Sequence, residues 1–328
     1  MKIIAFFNNK GGVGKTSLVY NLAWMFADRG KRVLAVDLDP QANLTSMFLR
    51  EDRLVELWDG NTTNSVYESV LPLINREGDI LPCNVEMIGR IALLPGKLAL
   101  SRFEDQLSEN WPKCLASDIG AFRVITAFYR IIALAAEQIA ADIVLMDVGP
   151  NLGAINRSAL IAADQVILPL APDLFSLQGM KNLGPTLRDW RKGWKKRLEE
   201  RPLGMTFPLP KGEMQPSGYV IMQHSVREDR PVKAYQLWAD RIPLFYREAV
   251  LDEPPVEGET VETDPNKLAL LKHYRSLMPM AQDAHKPIFH LTAADGAIGA
   301  HTYAVRDCYT DFLKLAKQIA GNAGMTMQ

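Results

Sequence analysis

Short apolar runs alternate with longer stretches of helical spacing along much of the chain. Residues 2–7, KIIAFF, and 32–37, RVLAVD, are apolar without a polar alternation, the pattern of strands buried on both faces. Between them Leu18, Leu22, Met25 and Phe26 recur at helical spacing, and Gly30 stands where a helix closes, so residues 15–29 are expected to be a helix. The order strand, glycine loop, helix, strand within forty residues is a βαβ unit. The pattern continues as a short strand at 92–95, a long Ala/Ile/Leu-rich helix at 119–140, a strand at 143–147 and a helix near 153–163. Further strands are expected at 165–170 and 218–223, and a closing helix at about 300–320. Such alternation predicts an α/β fold with a mostly parallel, twisted sheet and helices on both faces.

Two segments interrupt this rhythm. Residues 202–216 hold Pro202, Pro208, Pro210 and Pro216 with two glycines and are expected to be a connector. Residues 248–264 carry seven acids and no base, with Pro254 and Pro255 inside, which predicts a solvated loop or lid. Neither reads as a domain break, so 1–328 is taken as one domain, although the length prior is about two.

Composition narrows the function classes. The chain is 48% hydrophobic and 23% charged with a net charge of −1, so any nucleic-acid or membrane binding needs a local patch rather than a global field. Cys83, Cys114 and Cys308 form no C-x-x-C pair, which argues against a disulfide framework, structural zinc or a cysteine-held cluster. The run Ile3 to Phe7 is too short for a signal-peptide core, and no stretch approaches the ~18 apolar residues of a spanning helix, so a cytoplasmic protein is expected.

The first loop, NNKGGVGKTS at 8–17, carries the chemistry. Glycines between a strand and a helix let several N–H groups converge on an anion, and the helix N-terminus adds positive potential. Gly14, Lys15 and Thr16 match the end of the phosphate-loop pattern, in which the lysine reaches the β/γ-phosphates and the hydroxyl a Mg²⁺ ion. Gly11, Gly12, Val13 and Ser17 complete the cradle, but Asn9 stands where the pattern begins with glycine, and Lys10 is a second lysine within it. Asp37 and Asp39, in VDLDPQAN, follow a parallel strand and suit metal coordination or the positioning of a water; they also suit a capped loop. Asp147 ends IVLMD, the pattern of an acid that holds a Mg²⁺ shell.

KGGVGKT, VDLDPQANLT, IVLMDVGPNLG and ILPLAPDLFSLQG, with LLPGKLALSRFEDQL at 93–107, resemble in order the signatures of the ParA/MinD family of deviant Walker-A P-loop ATPases. The resemblance is clear over 1–183, looser over 218–250 and vague thereafter. It implies a P-loop NTPase fold, ATP and Mg²⁺ as cofactors, and a homodimer that sandwiches ATP. It implies that Lys10 reaches the partner's nucleotide, Asp39 orients the attacking water and Asp147 is the Walker-B acid. Pro172, Asp173 and Gln223 are adenine-pocket candidates by position alone. The family's D-x-P-P becomes Asp147-Val148-Gly149-Pro150 here, a departure that bears on hydrolysis more than on binding. ParA-type relatives further imply non-specific DNA and a ParB-like or cargo-adaptor protein as partners.

Residues 181–201 carry eight bases against three acids, with Leu183, Leu187, Trp190, Trp194 and Leu198 as an apolar stripe. Arg188, Arg191, Lys192, Lys195, Lys196 and Arg197 are the candidate DNA contacts; an ordinary outer helix with a solvated face is the other reading. The tail GNAGMTMQ carries no charge and little apolar length, so no membrane partner is expected. His224, His290 and His301 lack ligand spacing, and HSVREDRPVKAYQLW and KPIFHLTAADGAIGAH are where a specific partner is expected. A metabolic ATP-dependent ligase or amidotransferase of the same superfamily, or a nucleotide-gated interaction module with little turnover, are the rival functions.

Overall fold

The computed structural model describes residues 1–59, 64–222, 232–272 and 274–327, without the side chains of 232–235. Eight strands form one sheet: β1 (Lys2–Phe6), β2 (Val33–Asp37), β3 (Glu86–Ile88), β4 (Ile91–Leu94), β5 (Ile143–Asp147), β6 (Gln165–Leu170), β7 (Gln215–Met222) and β8 (Lys267–Leu271). Their order is β3-β4-β2-β5-β1-β6-β7-β8, and every pairing is parallel except the edge pair β3–β4. The mostly parallel α/β expectation therefore holds.

Alternate residues of the central strands feed two cores. Ile3, Ala5, Leu34, Val36, Val144 and Met146 face one side, while Ile4, Phe6, Val33, Ala35, Ile143 and Leu145 face the other. The first face is covered by the helices Ala127–Gln138, Ala154–Ala162 and Leu174–Glu199, the second by Lys15–Asp28 and Ala300–Asn322. Because β1 lies between β5 and β6, its outgoing loop opens where successive connections leave in opposite directions, the place at which such sheets take ligands.

The elements differ from the sequence reading in three places. The helix expected over 119–140 is two helices, Ile119–Ile125 and Ala127–Gln138, bent by 60° at Thr126, whose hydroxyl donates to the Phe122 carbonyl at 2.7 Å. β7 starts at Gln215 rather than 218, so the proline-rich connector ends at Met214. A bulge accommodates Pro216, and Gly218 takes φ 111° where a Cβ would stand 2.6 Å from the Asn266 carbonyl oxygen. The acidic segment is not wholly solvated: Tyr246–Leu251 forms a π-helical turn, and Arg247 pairs with Glu259 at 2.7 Å and Glu253 at 3.1 Å. Asp264 is buried and accepts the Tyr219 hydroxyl at 2.5 Å. Among the described residues no single helix is long and apolar enough to cross a membrane; the bent pair at 119–138 passes by length and composition, yet most of it is buried in the first core.

Candidate functional site

The N-terminal loop closes over the end of β1. Gly12 and Gly14 take φ 74° and 84°, the left-handed region that glycine enters without strain, and Gly14 caps the Lys15–Asp28 helix. That helix has no side-chain cap and no acid in its first turn, so its free N–H groups and positive end face the loop. Asn8 fixes the loop's entry: its amide donates to the Pro169 carbonyl at 2.6 Å, and its oxygen accepts the Lys10 N–H at 3.0 Å. Asn9 folds against Gly179 on the Leu174–Glu199 helix, where any Cβ would collide with its side-chain oxygen. The residue replacing the pattern's first glycine thus braces the loop against a neighbouring helix.

The loop's two lysines have separate surroundings. Lys15 is buried, and its ammonium lies 2.6 Å from Asp147 Oδ1, while the Thr16 hydroxyl donates to Asp147 Oδ2 at 2.7 Å. Lys10 lies at the rim with its side chain 31% exposed, ion-paired with Asp173 and 5.7 Å from the centre of the exposed Phe175 ring. Half-burial works to raise the Asp173 carboxyl, but the bonds from Lys10 and the Ser176 N–H outweigh it and hold it below the usual carboxylate range.

Asp37 and Asp147 are register partners at the C-terminal ends of β2 and β5, and both are fully buried. Burial raises Asp147 despite the opposing effects of Lys15 and Thr16. Asp37 is pushed up to about 7, first by burial and then by the Asp147 charge, against two hydrogen bonds from Thr45. Those bonds, from the Thr45 N–H at 2.8 Å and hydroxyl at 2.7 Å, both reach Oδ2; Oδ1 is buried without a protein partner. Asp39 accepts the Gln41 N–H at 3.0 Å and faces the cavity.

A cavity of about 450 Å³ lies over the loop. Lys10 through Ser17, Asp39 and Pro150 form one side; Met278, Ala281, Gln282 and Ile288 form the other. A smaller recess of about 60 Å³ adjoins it, lined by Ser17, Asn21, Met222, Leu271, Tyr274 and Met278, among others. Asn21 joins the walls, since its side-chain oxygen accepts the Ile288 N–H at 3.0 Å. This C-terminal wall was missed in the sequence, whose only signal was the polar-aromatic stretch beginning at Lys286.

Pro172 and Asp173 line neither recess, and Asp173 instead holds Lys10. Gln223 and His224 lie outside the described residues, as does most of the stretch HSVREDRPVKAYQLW in which a partner contact is expected. Asp37 does not reach the cavity either, being turned onto Thr45. His290 pairs with Asp28 at 2.7 Å and His301 with Ser276 at 3.0 Å, so both have local structural partners.

The basic helix separates into two kinds of cation. Arg197 is buried, donates to the Trp111 carbonyl at 2.7 Å and stacks 3.7 Å from the Trp111 ring. Arg191 donates to the Glu213 and Met214 carbonyls at 2.6 and 2.7 Å, and Arg188 to the Ala249 carbonyl at 2.6 Å. These three arginines tie the helix to its neighbours, whereas Lys192, Lys195 and Lys196 are exposed.

Residues 1–200 match the AAA domain family. The chain is 29% identical over 288 residues to the chromosome-partitioning ATPase Soj of Thermus thermophilus, covering 86% of this chain and 97% of that protein. The crystal structure of protein DIP2308 from Corynebacterium diphtheriae superposes with a TM-score of 0.69 at 25% identity, over 98% of this chain and 99% of that one. The septum site-determining protein MinD of Pyrococcus horikoshii, complexed with Mg-ADP, superposes at 0.55 with 17% identity, over 98% and 97% of the two chains.

Proposed function

The chain belongs to the ParA/MinD-type P-loop ATPases within the AAA domain family, and on that premise we propose that it binds Mg·ATP, closes on it as a sandwich homodimer and hydrolyses it slowly to position a cargo on DNA. The observation that carries this reading is the separation of the two lysines. Lys15 lies inside on Asp147, where a phosphate can take its ammonium, whereas Lys10 waits at the exposed rim, where a second copy can approach. Two cations per site offset the charge of a buried triphosphate.

The cavity suits the nucleotide in size and polarity. The loop N–H groups take the phosphates, and the base lies in the main cavity at the mouth of the adjoining recess, toward Met222, Leu271 and Tyr274 rather than Pro172 and Asp173. The donor set near Thr16 fits a hard cation: a hydroxyl backed by Asp147, with the unpartnered Asp37 oxygen behind. When bound, Mg²⁺ neutralises phosphate charge. Asp39 faces the cavity from the side opposite the C-terminal wall and orients water. DNA is held electrostatically by Lys192, Lys195 and Lys196 rather than by the three anchored arginines. A cargo adaptor of ParB type, one ATPase domain over 1–328 and a cytoplasmic location complete the reading.

The test measures ATP turnover and retention on non-specific DNA together, with ATP and with ADP, across a salt series. Turnover with ATP-specific, salt-sensitive retention supports the proposal. Turnover without retention removes DNA and returns the metabolic ligase. Nucleotide binding with neither leaves an interaction module. Lys15→Ala is expected to abolish nucleotide binding in every case.

A further inference from the structure

The helix Ala154–Ala162 begins directly after the turn that follows Asp147, and its N-cap, Gly153, supplies no side chain. Two of its N–H groups are satisfied from fifty residues upstream. The Ala154 N–H donates to Glu104 Oε1 at 2.5 Å and the Ile155 N–H to Glu104 Oε2 at 2.9 Å, one carboxylate oxygen for each. The negative charge also complements the positive end of the helix. Space is tight around this clamp: a Cβ at Gly153 would lie 2.7 Å from Glu104 Oε1.

The turn is braced again from within. The Asn156 amide donates to the Gly149 carbonyl at 2.8 Å and the Asn151 carbonyl at 2.7 Å. A Cβ built at Gly149 would lie 3.5 Å from Asp39 Oδ1, so the turn runs beside the acid assigned to the attacking water, with room for about a methyl group between them. Glu104 itself sits on a splint. Its helix, Glu104–Lys113, carries Trp111 in its last turn; the Trp111 ring centre is 4.5 Å from Arg157 and 3.7 Å from Arg197, and the ring stacks on Trp194. Arg157 belongs to the helix that Glu104 caps, and it also donates to the Leu107 carbonyl at 3.3 Å. The first turn of the Ala154–Ala162 helix is thus held both at Glu104 and further along the Glu104–Lys113 helix, at Leu107 and Trp111.

We propose, resting on the ATPase reading, that Glu104 is a positioning residue: it clamps the turn that carries Gly149 beside Asp39 and sets the rate of hydrolysis without setting the affinity for ATP. The phosphate loop is anchored separately through Asn8, Asn9 and Lys15, so loss of Glu104 leaves it in place.

The test uses the full chain with Glu104→Ala, Glu104→Gln and, as a control, Glu109→Gln at an exposed position of the same helix. Three quantities are read: affinity for a fluorescent ATP analogue, kcat, and amide hydrogen exchange. In Glu104→Ala, exchange at Ala154 and Ile155 is expected to quicken roughly 10-fold, the scale of a lost helix cap. Turnover is expected to fall on the order of 10- to 100-fold through misplacement of the turn, with affinity within about 2-fold of the parent. Glu104→Gln, which keeps an accepting oxygen, should fall between, and Glu109→Gln should match the parent. Unchanged exchange in Glu104→Ala overturns the clamp. Faster exchange with unchanged kcat, or a loss of affinity parallel to that of kcat, overturns the positioning role. A parent chain that binds ATP without turnover overturns the ATPase reading and the rate-setting half, while the exchange data still decide the clamp.

Discussion

Replacing Asp37 by asparagine should make the nucleotide-free protein more stable at pH 8 while damaging the site it serves. Asp37 is fully buried beside Asp147, and burial, then that neighbour's charge, push it up to about 7 from an ordinary 3.8. The folded state therefore holds its proton more tightly than the unfolded chain does. The Asp37 contribution is fully present below pH 4 and is lost as pH rises through about 7. Roughly three units at about 1.4 kcal/mol each give ~4 kcal/mol as the full span. Asp147 shares the titration, which leaves ~2–4 kcal/mol to be recovered by removing one member of the pair. Asparagine's oxygen can accept both Thr45 bonds that Oδ2 accepts now, and its amide replaces an oxygen that already lacks a partner, so little is lost in exchange. At roughly 2 °C per kcal/mol for a chain of this length, Tm should rise ~4–8 °C at pH 8 and hardly change at pH 4.5. The assay is thermal unfolding in EDTA without nucleotide, from pH 4.5 to 8.5, for parent and Asp37→Asn. Parallel Tm curves across that window would refute the claim that Asp37 is a buried charge held for function.

Three other outcomes follow from the same geometry. Asp39→Ala should bind ATP normally yet turn over at least about 10-fold more slowly, so that the ATP-bound dimer accumulates; rapid turnover removes Asp39 from the mechanism. Replacing Lys192, Lys195 and Lys196 by glutamine should flatten the salt dependence of DNA retention by up to ~5 in log–log slope for a dimer, at about 0.9 for each phosphate no longer neutralised; an unchanged slope moves the DNA face elsewhere. Gly184→Ala should cost roughly 1–3 kcal/mol in denaturant unfolding, because a Cβ there would enter the Ala249 backbone; a neutral result means that the Tyr246–Leu251 turn can shift.

The parts of the site that were legible in the sequence are those written in consecutive residues. A strand buried on both faces must be apolar throughout, so β1, β2 and β5 announced themselves. A loop that needs left-handed backbone must spend glycines, so Gly12 and Gly14 did as well. What could not be read depends on partners distant in the chain. The cavity's second wall exists because Asn21 bonds Ile288 across 267 positions. Arg191 and Arg197 looked like free cations until carbonyls and Trp111 were brought to them. The edge strand β3 is three partly exposed residues, Glu86–Ile88, too short for a period. The bend at Thr126 comes from a hydroxyl competing for a helix carbonyl, which in a sequence is just another threonine.

The most direct measurement is the molar mass of the chain in solution with no nucleotide, ADP or non-hydrolysed ATP, for the parent and for Lys10→Ala. Without nucleotide Lys10 is held by Asp173 and Lys15 by Asp147, with no phosphate to join two copies, so the parent should sediment as a 36.6 kDa monomer when free or with ADP and as a dimer only with ATP. Lys10→Ala should bind ATP and stay a monomer. An ATP-bound dimer that forms equally well in Lys10→Ala would contradict the shared site.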